Sequence, residues 1–269
     1  MNLCAHSLWE NVVRLRKEAP LVHNITNYVV MNSTANALLA LGASPVMAHE
    51  ILEVEEMVSI SRALVVNIGT LSSPWVESMK RGISKASELH IPVVLDPVGL
   101  GATSYRAETV SALLAAAPVS VIRGNASEIQ ALVSSQERTK GVDSLRSSEN
   151  ALEAAELLAN RYNCVICISG ARDYVIAPDK KGCIENGNSL MTRVTGMGCT
   201  ASAFCGAFLA VEEDPFSAVL HAMAVMGVAG ELAALNSQGP GSLQQNFLDI
   251  LHNLTEEDLK KQLRGSLDS

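Results

Sequence analysis

A chain of 269 residues of which 48% are hydrophobic is long enough to bury a sizeable core, and with only 4% aromatic residues that core must be mainly aliphatic. The net charge is −8, from 20 basic and 28 acidic residues without a dense basic run, which disfavours nucleic acid and anionic membrane surfaces as partners. A small-molecule ligand is the better expectation.

The cysteines and the N-terminus bear on the cellular compartment. Six cysteines are scattered without the density of a disulfide scaffold, which favours reduced thiols and a cytoplasmic protein. The N-terminus lacks a basic segment followed by an apolar one, so no signal peptide is evident. The longest apolar stretch, residues 218–235, contains His221, Glu231 and two glycines. We interpret it as a buried core helix and expect no membrane span.

The first sixty residues mix helical and extended patterns. The predicted elements are a helix over 8–15, a polar stretch at 22–27, a helix over 28–41, a short extended piece at 44–47 and a helix over 52–62. Asn27 is placed to cap the second of these helices, and Gly42 is placed to end it.

From residue 63 the chain alternates regularly. Continuous apolar runs predict buried strands at 63–66, 91–95, 119–122 and 164–168. Helices are predicted over 73–90, over 105–116, from Asn125 onward and over 151–162, with a polar loop at 134–148. Strands that alternate with helices imply parallel β-α-β units and a doubly wound sheet covered on both faces. The fold class is therefore α/β.

Beyond Ser169 the pattern changes to shorter pieces and then to helices. Residues 173–177 and 183–191 predict antiparallel strands at one sheet edge. The helices expected after them cover 200–211, 215–235, a segment from 239–242 to 254, and a last one capped by 255–258. Because no linker and no internal repeat is present, we expect a single domain over 1–269.

Polar residues stand where four predicted strands give way to loops. They are Asn67, Asp96, Arg123 and Ser169. In parallel α/β sheets, ligands bind at the carboxyl ends of the strands. We therefore expect these four residues to converge on one crevice with the turn at 196–198.

The turn formed by Gly196, Met197 and Gly198 runs straight into a predicted helix. Its glycines permit close approach of a ligand, and its backbone amides point at one spot where an anion such as phosphate would bind. Cys199 lies at the same helix N-terminus, which biases a thiol toward thiolate and would suit a base or a nucleophile. The structural alternative is an ordinary strand-to-helix turn with a buried cysteine.

Other candidates also have two interpretations. Asp96 could hold a divalent cation or simply start a loop, and Glu128 could supply a second carboxylate for Mg²⁺ or form a capping box with Asn125. Arg123 could grip phosphate or form a surface ion pair. Met47 could line a pocket for a flat apolar ring or pack in the core.

Six segments together resemble the hydroxyethylthiazole kinases, a family of the ribokinase-like superfamily. They are LVHNITN at 21–27, LGASPVM at 41–47, NIGT at 67–70, LDPVG at 95–99, IRGNASE at 122–128 and VTGMGC at 194–199. The resemblance implies a three-layer ribokinase-like fold, with a mostly parallel sheet between helices. It also implies ATP- and Mg²⁺-dependent phosphorylation of the hydroxyl of 4-methyl-5-(2-hydroxyethyl)thiazole in thiamine biosynthesis and salvage.

The resemblance further implies roles for individual residues. It makes Arg123 and Ser169 contacts of ATP, Asp96 and Glu128 the carboxylates around Mg²⁺, and Met47, Gly196 and Asn27 contacts of the thiazole. Cys199 takes the place of the aspartate base of related sugar kinases, and the amides of Gly196, Met197 and Gly198 form the anion hole. A homotrimer with sites at subunit interfaces is also implied, which would explain the ligand-like residues at 23–27.

Three alternatives remain open at this point. A kinase of the same fold could act on another small alcohol, such as hydroxymethylpyrimidine. A cysteine hydrolase would use Cys199 covalently without ATP, and a sensor would bind its ligand without turnover. For in-line phosphoryl transfer we expect the anion hole to matter more than the base, because such catalysis depends on positioning and electrostatics.

Overall fold

Nine strands form one sheet within residues 3–139 and 151–268, the part of the chain that the computed structural model describes. The strands are β1 (Leu21–Ile25), β2 (Ser44–Val46), β3 (Ala63–Asn67), β4 (Val93–Asp96), β5 (Val121–Asn125), β6 (Val165–Ser169), β7 (Asp173–Ile176), β8 (Lys181–Ile184) and β9 (Gly265–Asp268). Their order across the sheet is β2-β1-β3-β4-β5-β6-β7-β8-β9.

The first six strands of this order are parallel, and β7, β8 and β9 continue the sheet as antiparallel strands. Every residue of β3 and β4 is buried, as expected for central parallel strands with both faces covered. The register places Asn67 opposite Asp96, so the ends of these two strands lie side by side. The sheet therefore gathers the carboxyl ends of its parallel strands at one edge.

Helices cover both faces and make three layers. The helices are α1 (Ala5–Glu18), α2 (Met31–Leu41), α3 (Val54–Ser59), α4 (Ser73–Glu88), α5 (Ser104–Ala116), α6 (Ala126–Thr139), α7 (Ala151–Tyr162), α8 (Met197–Leu209), α9 (Pro215–Leu235), α10 (Pro240–Asn253) and α11 (Glu256–Gln262). Helices α3 to α7 pack on one face, and α1, α2 and α8 to α11 pack on the other. Alternating strand residues supply the two cores: Val65 faces one core, whereas Leu64 and Val66 face the other.

Helix α9 is the one described helix that is long and apolar enough to cross a membrane. In the structure it is a core helix, because 78% of its most apolar window is buried inside the protein. It packs against α8 and α10. The interpretation of this stretch as a buried core helix is confirmed.

The N-terminal predictions need two corrections. The polar stretch at 22–27 overlaps β1 and is therefore not a loop: β1 is an interior strand of the sheet in which His23 and Asn24 are buried. His23 Nε2 lies 2.8 Å from the carbonyl oxygen of Ala48, and Asn24 Nδ2 donates to the carbonyl of Val22, whereas His23 Nδ1 and Asn24 Oδ1 have no hydrogen-bond partner among the described residues. Helix α2 starts at Met31 rather than at residue 28, and no side chain caps it.

The later predictions need three more corrections. Helix α6 continues to Thr139 through the first part of the predicted loop at 134–148, and the rest of that loop lies outside the described residues. The predicted strand at 183–191 ends at Ile184 and is followed by a 3-10 turn, Ser189–Arg193. Strand β9 was not predicted, since its four residues follow the last helix without an apolar run.

Gly206 provides a test of how closely α8 packs on the sheet. A Cβ at this position would lie 2.5 Å from Val65 Cγ2, and valine is stiff at χ1. We expect Gly206→Ala to lower the free energy of unfolding by about 1–2 kcal/mol, because overpacking outweighs the helical preference for alanine. Urea unfolding would measure the change.

Gly241→Ala is the matched control for this experiment. Gly241 also lies in a helix, α10, but a Cβ there would meet nothing within 4 Å. Alanine should therefore raise the free energy of unfolding at this position by about 0.5–1 kcal/mol. Equal effects of both substitutions would contradict the close packing of α8 on β3.

Candidate active site

Four polar residues meet at the carboxyl edge of the sheet, where the sequence predicts a crevice. Asn67, Asp96 and Ser169 are the last residues of β3, β4 and β6, and Arg123 is the third residue of β5. Asn67 Nδ2 donates to Asp96 Oδ2 at 2.8 Å, and Arg123 Nη2 donates to Ser169 Oγ at 2.6 Å. The strand ends thus form two bonded pairs.

A chain of hydrogen bonds extends the first pair to β1 and α8. Asn27, just beyond β1, donates from Nδ2 to Asn67 Oδ1 at 2.8 Å, and the same Nδ2 lies 3.5 Å from Cys199 Sγ. Ser202, on α8, donates from Oγ to Asp96 Oδ2 at 2.7 Å. Asn27 is therefore not the helix cap that its sequence position indicates, because its side chain points to the site instead.

The turn before α8 depends on its glycines. Gly196 has φ of 86°, and a Cβ there would lie 2.8 Å from Val30 Cγ1, so only glycine fits without strain. A Cβ on Gly198 would lie 3.0 Å from Arg123 Nη1, which shows how closely the guanidinium approaches the first turn of α8. Because the first amides of a helix have no intrahelical partner, they and Arg123 form one electropositive spot.

Arg123 lies between two buried carboxyl groups. Its side chain is only 8% exposed, and its buried Nε has no hydrogen-bond partner among the described residues. Burial raises the pKa of Asp96 to about 6, against the opposing effect of the Arg123 charge. Burial likewise raises the pKa of Asp173 to about 6, although Asp173 Oδ1 accepts the Gly170 amide and Arg123 is near.

A cavity of about 640 Å³ opens beside this guanidinium. Five of the predicted site residues line it: Arg123, Ser169, Gly196, Met197 and Gly198. The lining also includes residues that the sequence did not single out, namely Asp173, Asn186, Met191, Met223 and Met226. These come from β7, α9 and the segment after β8, and no motif in the sequence links such distant positions.

The other predicted residues lie outside the cavity lining. Asn27 and Cys199 contact each other beside it, and Asp96 is buried below the turn. Met47 directly follows β2 at the same sheet edge, and the structure does not bring it into the cavity.

Glu128 forms a capping box with Asn125, which is the structural one of the two interpretations of this residue from the sequence. Its Oε2 accepts the Asn125 amide at 2.8 Å, Asn125 Oδ1 accepts the Glu128 amide at 3.0 Å, and its Oε1 accepts the Gly99 amide at 2.8 Å. Burial is the main cause of the raised pKa of Asp96; Arg123 and Ser202 oppose it, and the charge of Glu128 adds to it.

The two carboxylates fit a magnesium ion that keeps most of its water. Both described side-chain hydrogen bonds of Asp96 fall on Oδ2, and each Glu128 oxygen accepts one backbone amide, which leaves lone pairs on both residues. No cluster of three or more potential metal ligands occurs among the described residues. Mg²⁺ commonly binds one or two carboxylates together with waters and substrate phosphates, so this sparse donor set suits it.

Arg106 fastens the two loops that follow Asn67 and Asp96. From α5, its guanidinium donates to the carbonyl oxygens of Ile68 and Val98 at 2.6 Å and to that of Gly69 at 2.9 Å. No motif in the sequence indicates this role, because a single arginine inside a helix usually faces solvent.

The pKa of the Cys199 thiol is shifted in the opposite direction to the one that its sequence position predicts. Burial raises the pKa of its thiol, and the nearby Asp96 charge raises it further, whereas hydrogen bonds from Asn67 and Asn27 lower it only partly. The expectation of a thiolate at the helix end is therefore wrong. Desolvation and the neighbouring carboxylate of Asp96 both favour the neutral thiol over the thiolate.

The three-layer arrangement of helices on both faces of a mostly parallel sheet is a ribokinase-like fold. A ribokinase-like superfamily protein from Enterococcus faecalis superposes on the chain with a TM-score of 0.67 at 13% identity, over 95% of this chain and 96% of that one, which supports the fold alone.

The chain belongs to the hydroxyethylthiazole kinase family. The model of that family matches residues 12–257. The chain is 57% identical to a hydroxyethylthiazole kinase of Syntrophus aciditrophicus over 265 residues, which covers 98% of each protein. A solved structure of a hydroxyethylthiazole kinase protein from Pyrococcus horikoshii superposes with a TM-score of 0.90 at 40% identity, covering 98% of this chain and 100% of that one.

The ionisation of Cys199 is measurable without a substrate. We expect the rate of its alkylation by iodoacetamide to rise with an apparent pKa above that of an ordinary thiol, because burial disfavours the thiolate. The exposed Cys4 is the internal control, since backbone hydrogen bonds from Ser7 and His6 lower its pKa.

Peptide-resolved mass spectrometry over a pH series gives both midpoints, and a midpoint does not depend on how accessible the sulfur is. A lower midpoint for Cys199 than for Cys4 would contradict the structure.

Proposed function

We propose that the protein transfers the γ-phosphoryl group of ATP to the hydroxyl of 4-methyl-5-(2-hydroxyethyl)thiazole, as a step of thiamine biosynthesis and salvage. Membership of the hydroxyethylthiazole kinase family supports the reaction. The observation that carries the proposal is the buried Arg123, whose guanidinium Nη1 lies beside the glycine turn of α8 and whose Nε has no hydrogen-bond partner among the described residues. A phosphate group would complete its hydrogen bonds.

In this proposal Arg123 and Ser169 hold the phosphates of ATP at the mouth of the cavity. Their 2.6 Å bond fixes the plane of the guanidinium, which suits two-point contact with phosphate oxygens. The amides of Gly196, Met197 and Gly198 form the anion hole for the phosphoryl group in transfer. Donors fixed in advance in a site of low dielectric stabilise developing charge more than water does.

Asp96 and Glu128 are the residues that we assign to Mg²⁺. When bound, the ion neutralises charge on the phosphate oxygens of ATP. Asn67 and Ser202 hold Asp96 from one side through Oδ2, so its other oxygen stays available to the ion or to a water of its shell. Glu128 is fixed by two backbone amides and would reach the ion through water.

Cys199 and Asn27 lie where the acceptor alcohol would be placed. Because the Cys199 pKa is raised, the side chain acts in this proposal as a neutral group that contacts and orients the hydroxyl, rather than as a strong base. Asn27 fixes the thiol and could contact the thiazole, as could Gly196 in the turn. Met47 stands at the end of the neighbouring strand β2 and would contact the ring from that side.

We also propose that the protein is cytoplasmic and forms a homotrimer. Its subunit interfaces would lie near the acceptor site. Five large apolar side chains of the described residues are more than 60% exposed: Tyr28 at 65%, Val29 at 62%, Leu52 at 87%, Ile60 at 67% and Leu235 at 75%. Tyr28 and Val29 directly follow Asn27, so a subunit that covered them would adjoin the site. The six cysteines are all unpaired thiols, in keeping with a reducing compartment.

Incubation of the purified protein with Mg·ATP and the thiazole tests the reaction directly. Mass spectrometry should detect the phosphate ester of the thiazole, and EDTA should abolish it. Competition by hydroxymethylpyrimidine distinguishes a thiazole kinase from the alternative kinase that acts on that alcohol. A covalent adduct on Cys199 formed without ATP would indicate the hydrolase instead. Saturable binding of the thiazole without any ester would contradict the proposal.

Variants of Cys199 test the mechanism. Cys199→Ala should retain measurable activity with a loss below about 100-fold, the low end of what general acid–base groups contribute. Cys199→Asp should retain or raise the activity, because a carboxylate accepts the hydroxyl proton better than a neutral thiol. Cys4→Ala, at an exposed position far along the chain, is the control. Loss of all turnover in a folded Cys199→Asp protein would count against this picture.

A further inference from the structure

The cavity beside Arg123 has one end suited to phosphate and a larger remainder that a nucleoside would occupy. The apolar part of this remainder is made mainly of four methionines: Met191, Met197, Met223 and Met226. Methionine is flexible and polarisable, and it adapts to flat rings of different outline. The methionine surface can therefore contact a base through apolar packing, which does not require hydrogen bonds in defined directions.

The most buried polar side chain of this remainder is already satisfied within the protein. Asn186 is 5% exposed; its Nδ2 donates to Glu231 Oε2 at 2.9 Å and to the carbonyl of Gln262 at 2.7 Å. Its Oδ1 accepts the amide of Arg264 at 2.7 Å. Both donor hydrogens of this amide are committed, so Asn186 has none left to offer to a base.

Backbone amides along the same lining are committed as well. The amide of Gly170 donates to Asp173 Oδ1 at 2.9 Å, and that of Gly187 donates to Glu231 Oε1 at 2.8 Å. The amide of Asn188 points to Met191 Sδ at 3.4 Å. These lining amides therefore hold the shape of the cavity rather than present hydrogen bonds to a ligand.

Two further polar side chains of the lining are turned inward to the 3-10 turn. Asn188 Oδ1 accepts the amide of Leu190 at 2.9 Å, and Thr192 Oγ1 donates to the carbonyl of Ser189 at 2.8 Å. By contrast, Arg123 Nε is buried and has no partner among the described residues. Among the buried side-chain polar atoms of the described lining, the one without a partner therefore belongs to Arg123, at the phosphate end.

We infer that this site recognises its phosphoryl donor by the triphosphate and not by the base, so that GTP, CTP and UTP serve as donors alongside ATP. The inference rests on the proposed kinase function and names the class of its donor as nucleoside triphosphates in general. A site that hydrogen-bonds its ligand rejects analogues by 10,000-fold or more, whereas an apolar pocket discriminates by only about 10- to 200-fold. The methionine lining belongs to the second kind.

The first experiment compares kcat/KM for the four triphosphates, at saturating thiazole and Mg²⁺. The expected spread between the best and the worst donor is less than about 200-fold. A larger spread in favour of ATP would overturn the inference, because it would require base-specific hydrogen bonds. If no triphosphate yields the thiazole phosphate, the proposed function fails, and the second experiment then decides the inference alone.

The second experiment measures binding without turnover. Isothermal calorimetry with the non-hydrolysable β,γ-imido analogues of ATP and GTP should give dissociation constants within about 200-fold of each other. Arg123→Gln should weaken both analogues by the same factor, to within about threefold, since the residue faces the phosphates that the two share. Unequal losses, or binding of the ATP analogue alone, would overturn the inference.

Discussion

The site depends on one buried positive charge at the edge of the sheet. An isolated arginine in the interior costs several kcal/mol, and such a group is retained only where partners compensate for its lost hydration. Arg123 has Ser169 and the carboxyl groups of Asp96 and Asp173 around it, yet its Nε lacks a partner among the described residues. In the proposed function, a phosphate group of ATP supplies an acceptor to this guanidinium.

The close approach of this charge to α8 constrains the local sequence. Gly198 leaves room for the guanidinium, and Gly196 adopts a left-handed conformation against Val30. The positive end of the helix and the positive side chain would repel each other without a negative charge between them. The same arrangement explains why Asp96 lies beneath the turn, tied by Ser202 to α8 and by Asn67 to β3.

The parts of the structure that could be predicted from the sequence are those with a strong period. The continuous apolar runs of β3 to β6 predict parallel strands, and parallel strands gather Asn67, Asp96 and Ser169 at one edge whatever the details of the loops. Strand β1 was missed because the buried polar residues His23 and Asn24 interrupt its apolar pattern.

Two features of the site could not be predicted from local patterns in the sequence. The raised pKa of Cys199 depends on burial and on Asp96, which is 103 positions earlier in the chain but adjacent in space, and helix position alone suggested the opposite shift. The methionines of the cavity come from α8, α9 and the 3-10 turn, so their common surface exists only after folding. Arg106 likewise gains its role from the carbonyls that two separate loops direct toward it.

A structure of the protein with Mg²⁺ and a non-hydrolysable ATP analogue tests the central claim most directly. We expect a phosphate group within hydrogen-bond distance of Arg123 Nε and of the amides at 196–198, with the base against the methionines of the cavity. A triphosphate bound elsewhere, with Arg123 Nε still unpartnered, would contradict it.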